Sequence, residues 1–463
     1  MDEKHNQESL LEKTPVSKLI WKLSIPSVIG ILSYNLYHII NTIYISRGVG
    51  AYAAGGLAIT LPLFILLSAL SSTMGAGAAS IISRAIGNKD LERANRVAAN
   101  TFVVFWAMAL LITIIGLCYL EEMLYAMGVT DKLLPYAKEY SRIILIGAIT
   151  STGFSSLIRA EGSSKYAMYQ WIIPVAANMI LDPIFIFLLH QGIQGAAMAT
   201  VLSQCISVAM FIYYFFFSGR SSLKLRPNHF LPDIRVIGEI LLIGMPSFIQ
   251  MASQSLTIII INNVLRKYGG ELNISTYGIT NRITMFLLIP LQGIVQGIQP
   301  MIGYNYGAGI KARVGETLKT ASIIAGCYGL IISLFTVLLS KVFLYPFTSD
   351  AEVVQIGSGI LKITSLGLVF SGIHMMQLAY FQAIGKSKIS LVLSLCNYIL
   401  CFVPVLLVLS SLLGVRGVWL SFPLSGIITL AISSICVINQ TRRENTKSVE
   451  GGENATGGFG KSN

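Results

Sequence analysis

The chain has 463 residues, of which 54% are hydrophobic and only 12% are charged. A water-soluble domain has about 25% charged residues, so this composition excludes a soluble globular protein. The net charge of +12 does not indicate nucleic-acid binding, because the basic residues form neither an aromatic-interleaved groove nor a nucleic-acid motif. The six cysteines are scattered along apolar stretches without the spacing of metal ligands, so no metal is expected.

Twelve apolar stretches are each long enough to cross a bilayer, which needs about 20 residues. In chain order they are 24–45, 55–82, 97–120, 140–158, 168–189, 196–217, 237–264, 277–302, 321–343, 360–381, 391–413 and 417–437. The first stretch is too long for a cleavable signal peptide and is expected to be retained. The sequence therefore predicts an all-α polytopic membrane protein with 12 transmembrane helices.

These stretches divide six and six around one polar linker. We predict a cytoplasmic segment over 1–20, an N-terminal lobe over 21–217, a cytoplasmic linker over 218–233, a C-terminal lobe over 234–440 and a disordered cytoplasmic tail over 441–463. With the N-terminus inside, 23 of the 33 lysines and arginines fall on the cytoplasmic side. The positive charge is then a topology signal and a means of contact with anionic lipid.

The chain repeats itself at an offset of about 220 residues. Ile25-Pro26-Ser27 returns as Met245-Pro246-Ser247, Gly77 and Gly87 return as Gly297 and Gly307, and the stretch Asn178 to Asp182 returns as Asn397 to Cys401. A duplicated membrane chain is typical of two pseudo-symmetric bundles around a central pathway, with the binding site near the repeat interface.

One acidic residue, Asp182, lies deep inside an apolar stretch, and its repeat equivalent is Cys401. An ionisable group at membrane depth is costly, which favours a functional role. Desolvation of the carboxylate also brings its protonation within reach of physiological pH. Asn178 lies one turn earlier and can hydrogen-bond the carboxyl. The alternative is that Asp182, followed by Pro183, only satisfies backbone N–H groups at a helix break. Pro26 should bend the first helix, either as part of a switch or as a static kink.

Other polar residues in the apolar stretches form pairs three or four residues apart, which places each pair on one helix face. The pairs are His38 with Asn41, Gln250 with Gln254, and His374 with Gln377. We predict that these pairs, together with Tyr37, contribute to a polar substrate cavity. The alternative for each pair is hydrogen bonding between helices.

Several motifs together resemble the multidrug and toxic compound extrusion (MATE) family, most closely its MepA-like bacterial branch, over roughly residues 16–438. They are Leu23-Ser24-Ile25-Pro26, Gly75-Ala76-Gly77 with Ser83-Arg84-Ala85-Ile86-Gly87, Arg159-Ala160-Glu161-Gly162, Asn178 with Asp182-Pro183, and the stretch Gln299-Pro300-Met301 to Gly307. The resemblance implies a V-shaped pair of six-helix lobes, alternating access, and export of drugs or other amphiphilic compounds in exchange for H⁺ or Na⁺. It also implies a monomer in the bacterial cytoplasmic membrane, both termini cytoplasmic, whose partners are a small-molecule substrate and the lipid bilayer.

The resemblance also implies an N-lobe cation site, whose positions here are Asn41, Tyr140, Asn178, Asp182 and Thr200. The family's aspartate in the first span is replaced by Asn41, so Asp182 is the one carboxylate left for coupling. Family carboxylates of the second lobe match Gln254 and, less closely, Ser371, which disfavours a second Na⁺ site. These departures favour H⁺ over Na⁺ as the coupling ion, and no cofactor is expected.

Three other functions remain to be compared. A flippase or exporter of a lipid-linked or natural-product substrate in the same superfamily would share the two-lobe plan. A major-facilitator-type transporter usually carries a basic Gly-Arg-rich loop after its second span, where this chain has Gly87-Asn88-Lys89-Asp90. An intramembrane enzyme would need clustered carboxylates for a divalent metal, which the isolated Asp182 does not provide.

Overall fold

The computed structural model describes residues 11–150 and 154–456, and these residues form helices joined by short turns. The α-helices of the first half are α1 (Val16–Gly48), α2 (Ala51–Ile59), α3 (Leu61–Gly87), α4 (Leu91–Cys118), α5 (Leu120–Ala126), α6 (Leu134–Ile146), α7 (Ser155–Ala160), α8 (Ser164–Pro183) and α9 (Gly192–Ile212). Those of the second half are α10 (Ile234–Tyr268), α11 (Gly270–Gly307), α12 (Lys311–Leu344), α13 (Ala351–Thr364), α14 (Gly367–Ala383), α15 (Ser387–Leu395), α16 (Phe402–Leu413) and α17 (Val415–Thr456). Short π-helical segments follow α8, α9 and α15, at Ile184–Leu188, Tyr213–Phe217 and Cys396–Leu400, and 3₁₀ turns lie at Gly147–Thr150 and Pro227–Phe230.

Within the described residues, eleven helices are long and apolar enough to cross a membrane. The pair α13 and α14, which bends by 47° at its break, makes twelve if it counts as one span. Each apolar stretch of the sequence falls on one of these spans, so the prediction of an all-α polytopic membrane protein is confirmed. Large apolar side chains such as Leu330, Leu338 and Leu412 are exposed on the helix surfaces, as expected where the surroundings are lipid tails.

The helix ends differ from the boundaries drawn on the sequence. Helix α1 begins at Val16, inside the segment predicted to precede the first lobe. Helix α17 continues to Thr456, into the tail predicted over 441–463, of which residues 457–463 lie outside the described residues. Extending an existing helix needs no new nucleus, and the Glu, Lys and Arg residues after Thr441 are good helix formers.

The described chain divides into two compact units. The first unit comprises Met1–Ala252, Ile289–Ala321 and Ala379–Ser387, and the second comprises Ser253–Leu288, Ser322–Leu378 and Lys388–Asn463. The lobe boundaries drawn from the sequence follow the repeat, whereas the first unit also includes parts of α10, α11, α12 and α14 from the second half. Asp182 and the other four residues of the predicted cation site all belong to the first unit.

Inside the first unit, glycines allow helices from the two repeats to touch. A Cβ atom on Gly77 would overlap the carbonyl oxygen of Ile240 and crowd the amide nitrogen of Gly244. A Cβ atom on Gly297 would crowd Ser24 in the same way. Gly297 is the repeat equivalent of Gly77, and Gly244 is the equivalent of Ser24, so the contact recurs with its partners exchanged.

A second pair of contacts behaves in the same manner. A Cβ atom on Gly87 would overlap the carbonyl oxygen of Tyr304, and one on Gly307 would overlap the carbonyl oxygen of Arg84. These four residues are again related by the 220-residue offset, with the partners exchanged. Reciprocal contacts of this kind are the property of a two-fold axis, here a pseudo-symmetry axis relating the two repeats. Small residues at the contacts let the backbones approach closely, as is common between membrane helices.

Candidate ion-coupling site

The predicted coupling carboxylate is completely buried. Asp182 has no exposed surface, and Asn178, one helical turn earlier on α8, is 1% exposed. Helix α8 ends at Pro183, directly after Asp182, and the chain continues as the π-helical segment Ile184–Leu188. Wider π-helical turns are rare and are frequently found at functional sites. The sequence thus places a carboxylate at an irregular point of a buried helix.

The Asp182 carboxyl has no hydrogen-bond partner among the described residues, and neither polar atom of the Asn178 amide has one. The amide lies beside the carboxyl, close enough to interact electrostatically but outside hydrogen-bond geometry. Asp182 therefore accepts no hydrogen bond from the backbone N–H groups at the helix break in this structure. Buried polar groups without partners are rare in proteins, and each one calls for an explanation such as a bound ion or proton.

A chain of hydrogen bonds runs from α1 to α9 beside this carboxyl. The Asn41 side-chain amide donates to the Tyr37 hydroxyl at 3.1 Å, and the Tyr37 and Thr200 hydroxyl oxygens are 3.1 Å apart. Thr200 also donates to the carbonyl oxygen of Ala196 at 3.0 Å. Each hydroxyl has a single hydrogen, so with the Thr200 hydrogen on Ala196 it is Tyr37 that donates to Thr200, and the chain then has one direction. Asn41 Oδ1 is left without a described partner.

Tyr140 completes the group of residues that the sequence assigned to a cation site. It is buried on α6 in an apolar cluster with Ile45, Ile186 and Ala197. Tyr37 and Tyr140 both lie near Asp182. The structure thus brings Asn41, Tyr140, Asn178, Asp182 and Thr200 together, and it adds Tyr37, which the sequence had placed in the substrate cavity.

Two positions of the second unit that are equivalent to site residues are apolar. At the 220-residue offset, Asn41 corresponds to Ile261 and Tyr140 to Ile360, and both isoleucines are buried in one core cluster with Leu265 and Leu406. The second repeat therefore has apolar side chains at these two positions.

The residues predicted to line a substrate cavity do not share one environment. The His38 ring packs edge-on against Tyr34, with 4.6 Å between ring centroids, and lies 4.9 Å from Tyr37. Gln250 and Gln254 are partly exposed one turn apart on α10. No hydrogen bond of either side chain is found among the described residues. These two glutamines keep the properties expected of cavity-lining groups.

Gln377 connects two helices instead. It is 8% exposed, accepts a hydrogen bond from Ser433 and donates one to Ser434 at 3.0 Å, which joins α14 to α17. Hydrogen bonding between helices, the alternative considered for this residue, therefore accounts for it. His374 is 1% exposed, and neither ring nitrogen has a partner among the described residues.

One residue of interest was missed by the sequence reasoning, which used Arg159 in a family motif and as a cytoplasmic positive charge but gave it no role in a site. The structure places Arg159 on α7, on the wall of a cavity that also contains Pro26. Pro26 lies inside α1, which remains one continuous helix. A signal for Arg159 was present, since an arginine in the last turn of an apolar span is costly unless it has a partner.

Comparison with known proteins agrees with the repeat. The model of the MatE family matches residues 26–184 and 246–408, two segments that begin 220 residues apart. The chain belongs to the MATE family. MATE proteins are membrane transporters and not enzymes, so the chain is a multi-pass transporter that acts on small molecules in a bilayer. This assignment excludes the major-facilitator alternative.

Similar MATE proteins are known from sequence and from solved structures. The multidrug export protein MepA of Staphylococcus aureus (strain MSSA476) is 28% identical over 420 residues, which covers 90% of this chain and 92% of that protein. A crystal structure of a MATE protein in the bent conformation aligns with a TM-score of 0.90 at 27% identity, covering 96% of this chain and 99% of the other. An outward-facing multidrug resistance MATE transporter aligns with a TM-score of 0.85 at 28% identity, covering 92% and 96%.

Proposed function

We propose that this MATE protein is a secondary active antiporter that exports drugs or other amphiphilic organic compounds from the cytoplasm in exchange for a cation, with Asp182 as the coupling residue. The observation that carries the proposal is the completely buried Asp182 carboxyl without a hydrogen-bond partner among the described residues. Export of organic compounds is supported by the relatives that are named multidrug export proteins.

The composition of the site favours a cation. Five buried polar atoms lack partners among the described residues, namely both oxygens of Asp182, both polar atoms of Asn178, and Asn41 Oδ1. Four of these five atoms are oxygens, the type of ligand that hard cations prefer. A buried, unpaired carboxylate is strongly unfavourable in a medium of low dielectric constant, and a bound cation or proton removes that cost.

The same geometry favours H⁺ over Na⁺. A proton needs only the carboxylate, whereas a Na⁺ ion stripped of its water needs a full shell of oxygen ligands. The Tyr37 and Thr200 hydroxyls already take part in the directed hydrogen-bond chain, so fewer of their lone pairs are free for a metal ion. With no second acid in the predicted set of ligands, protonation neutralises the site completely.

The charge of Asp182 can act on α1 through Asn41. An ionised carboxylate attracts amide N–H groups, whereas a protonated carboxyl donates to an amide oxygen such as Asn41 Oδ1. Asn41 also donates to Tyr37, so a change in its orientation alters the chain that connects α1 with Thr200 on α9. Helix α1 packs along α8, so a shift at Asp182 can be transmitted to the helix that contains Pro26. Protons taken up outside and released to the cytoplasm would then drive export.

We further propose that the protein acts as a monomer in the bacterial cytoplasmic membrane, with both termini inside. The distribution of lysine and arginine supports this orientation, because 23 of the 33 lie in segments that it places in the cytoplasm.

The experiment is dye transport in liposomes containing the purified protein. The ethyl ester of rhodamine B serves as substrate, and a pH gradient or a Na⁺ gradient is imposed while the other ion is kept symmetric. We expect export to follow the pH gradient alone. Asp182→Asn should still bind the dye but should lose gradient-driven transport. The control Asp131→Asn, which changes an exposed carboxylate that accepts from Tyr125, should behave as the wild type.

The results have clear consequences. Undiminished proton-driven transport by Asp182→Asn would remove Asp182 from the coupling mechanism. Transport by the wild type in response to the Na⁺ gradient but not the pH gradient would replace H⁺ by Na⁺. Dye movement that follows neither gradient would contradict antiport.

A further inference from the structure

The segment that precedes α1, which we call the strap (residues 11–15), lies between the two repeats inside the first compact unit. The Leu11 side chain is 2% exposed and covers Gly162 in the turn between α7 and α8, where an added Cβ atom would lie 3.5 Å from Leu11 Cδ1. The Leu11 carbonyl oxygen accepts hydrogen bonds from Arg313 Nε at 3.1 Å and from the Asn305 side-chain amide at 3.4 Å. Gly162 belongs to the first repeat, whereas Asn305 and Arg313 belong to the second. The strap therefore contacts both repeats at once.

Arg313 is the main anchor of the strap on the second repeat. Besides the Leu11 carbonyl, its guanidinium donates to the Thr14 carbonyl oxygen, so one planar side chain holds two points of the strap. Arg313 is half-buried and takes part in no ion pair with a described residue. Hydrogen bonds from a charged donor are roughly twice as strong as those between neutral groups. The strap carbonyls are thus the partners that the structure gives to this charge.

The duplication places a second arginine in the equivalent position. Arg93 on α4 lies 220 residues before Arg313, and its guanidinium donates to both carboxylate oxygens of Glu239 at 2.9 and 2.8 Å. Glu239 lies near the start of α10, the counterpart of α1 in the second repeat. Each arginine therefore reaches from one repeat to the beginning of the first helix of the other. The Arg93–Glu239 pair is solvent-exposed and contributes little, so the strap with its buried Leu11 is the stronger of the two connections.

The strap lies at the same end of the unit as the close backbone contacts between the repeats. Asn305, which bonds to the strap, is the residue next to Tyr304, whose carbonyl oxygen touches Gly87. Gly307 touches the Arg84 carbonyl beside it. We call these contacts the cytoplasmic seam, because the proposed orientation places this end in the cytoplasm.

We propose that the strap is a latch that holds the cytoplasmic seam closed, so that Leu11 and Arg313 set how readily the two repeats separate at this end. The inference rests on the proposed transport function, which requires such a separation, and names the element that controls it. If the repeats move apart, Leu11 cannot stay on Gly162 and also keep its bonds to Arg313. Either a buried leucine is exposed to water or a carbonyl loses its charged donor, and both changes are unfavourable.

The test measures how often the seam opens. Ser83 is 1% exposed and packs on Gly303 of the second repeat, so a cysteine there reacts with a maleimide only when the seam opens. The six native cysteines are replaced by alanine, and the alkylation rate of Ser83→Cys by fluorescein maleimide is measured in dodecyl maltoside micelles. A second reporter, Ser141→Cys, is fully buried on α6 within the first repeat and reports general loosening.

The alkylation rate follows the fraction of open molecules when opening and closing are fast. Arg313→Gln should raise the rate at Ser83→Cys about 10-fold or more, as expected for the loss of hydrogen bonds from a charged group. Leu11→Ala should have an effect of the same order, because it removes most of a buried side chain. The control Lys319→Gln, which removes an exposed positive charge from α12, should stay within about two-fold.

The double variant Leu11→Ala/Arg313→Gln separates a latch from two independent contacts. Once either anchor is lost, the strap no longer connects the repeats, so the double variant should react within about two-fold of the faster single variant. Leu11→Ala keeps the test decisive if Arg313→Gln does not fold.

Three results would overturn the proposal. They are an unchanged rate at Ser83→Cys in the single variants, a double variant whose acceleration is the product of the two, and an equal acceleration at Ser141→Cys. The assay uses neither substrate nor ion gradient, whereas the dye experiment tests antiport. The latch can therefore fail while the proposed function stands, and the reverse is also distinguishable.

Discussion

Replacing Tyr37 by Phe removes one oxygen atom from the middle of the hydrogen-bond chain beside Asp182. The Asn41 amide, which is 4% exposed, loses the acceptor of its N–H group, and its oxygen already lacks a partner among the described residues. Thr200 keeps its bond to Ala196, so its contribution to the change is small. An orphaned buried donor costs about 1–3 kcal/mol, and we expect Tyr37→Phe to lower the free energy of unfolding by that amount.

The assay is equilibrium unfolding in mixed dodecyl maltoside and SDS micelles, followed by far-UV circular dichroism. Tyr44→Phe is the matched control on the same helix, because the Tyr44 hydroxyl has no hydrogen bond among the described residues. Its effect should stay within about 0.5 kcal/mol. The double variant Tyr37→Phe/Asn41→Leu should be less destabilised than the sum of its single changes by about 1 kcal/mol, since the orphaned amide is gone. Additive effects, or a Tyr37→Phe variant as stable as Tyr44→Phe, would refute the directed chain.

Three further sets of variants test the packing and the second-lobe polar groups, the first two in the same unfolding assay and the third by dye transport. Gly307→Ala should lower the free energy of unfolding by about 1–3 kcal/mol, because its Cβ would overlap the Arg84 carbonyl. Gly315→Ala, the control, faces open space on α12 and should be neutral or stabilising by up to about 1 kcal/mol. Similar stability of the two variants would contradict the close contact. Gln377→Leu should lose about 1–3 kcal/mol by breaking the α14–α17 hydrogen bonds, and an unchanged stability would count against that link. His374→Leu should change which dyes are transported but not the dependence on the pH gradient, and dye-independent loss of transport would argue for an ion-coupling role instead.

The choice of membrane class, the position of the spans and the duplication followed from the sequence alone. Hydropathy is a property of each residue and its near neighbours, so a run such as 97–120 indicates a membrane helix whatever it packs against. The duplication is visible because both copies kept their glycine and proline positions. Asp182 could be singled out for the same reason, since the cost of a carboxylate in an apolar run does not depend on knowing its neighbours.

The partners of each polar side chain depended on the tertiary structure. Tyr37, predicted as a cavity residue, connects Asn41 with Thr200, while Gln377, predicted in the same role, joins two helices. Both residues have the same sequence signature, a polar group one turn from another in an apolar helix. Which group it meets depends on how the helix is rotated and which neighbour approaches.

Arg159 shows most clearly what could not be predicted from the sequence alone. As a residue in a sequence it is a positive charge at the end of a span, a feature that many cytoplasmic helix ends share. In the structure it lies on a cavity wall beside a buried serine, and the nearest acid in sequence is bonded elsewhere. Composition and order determine that such a charge is present. The packing of α1, α7 and α8 around it determines that it has no acidic partner among the described residues.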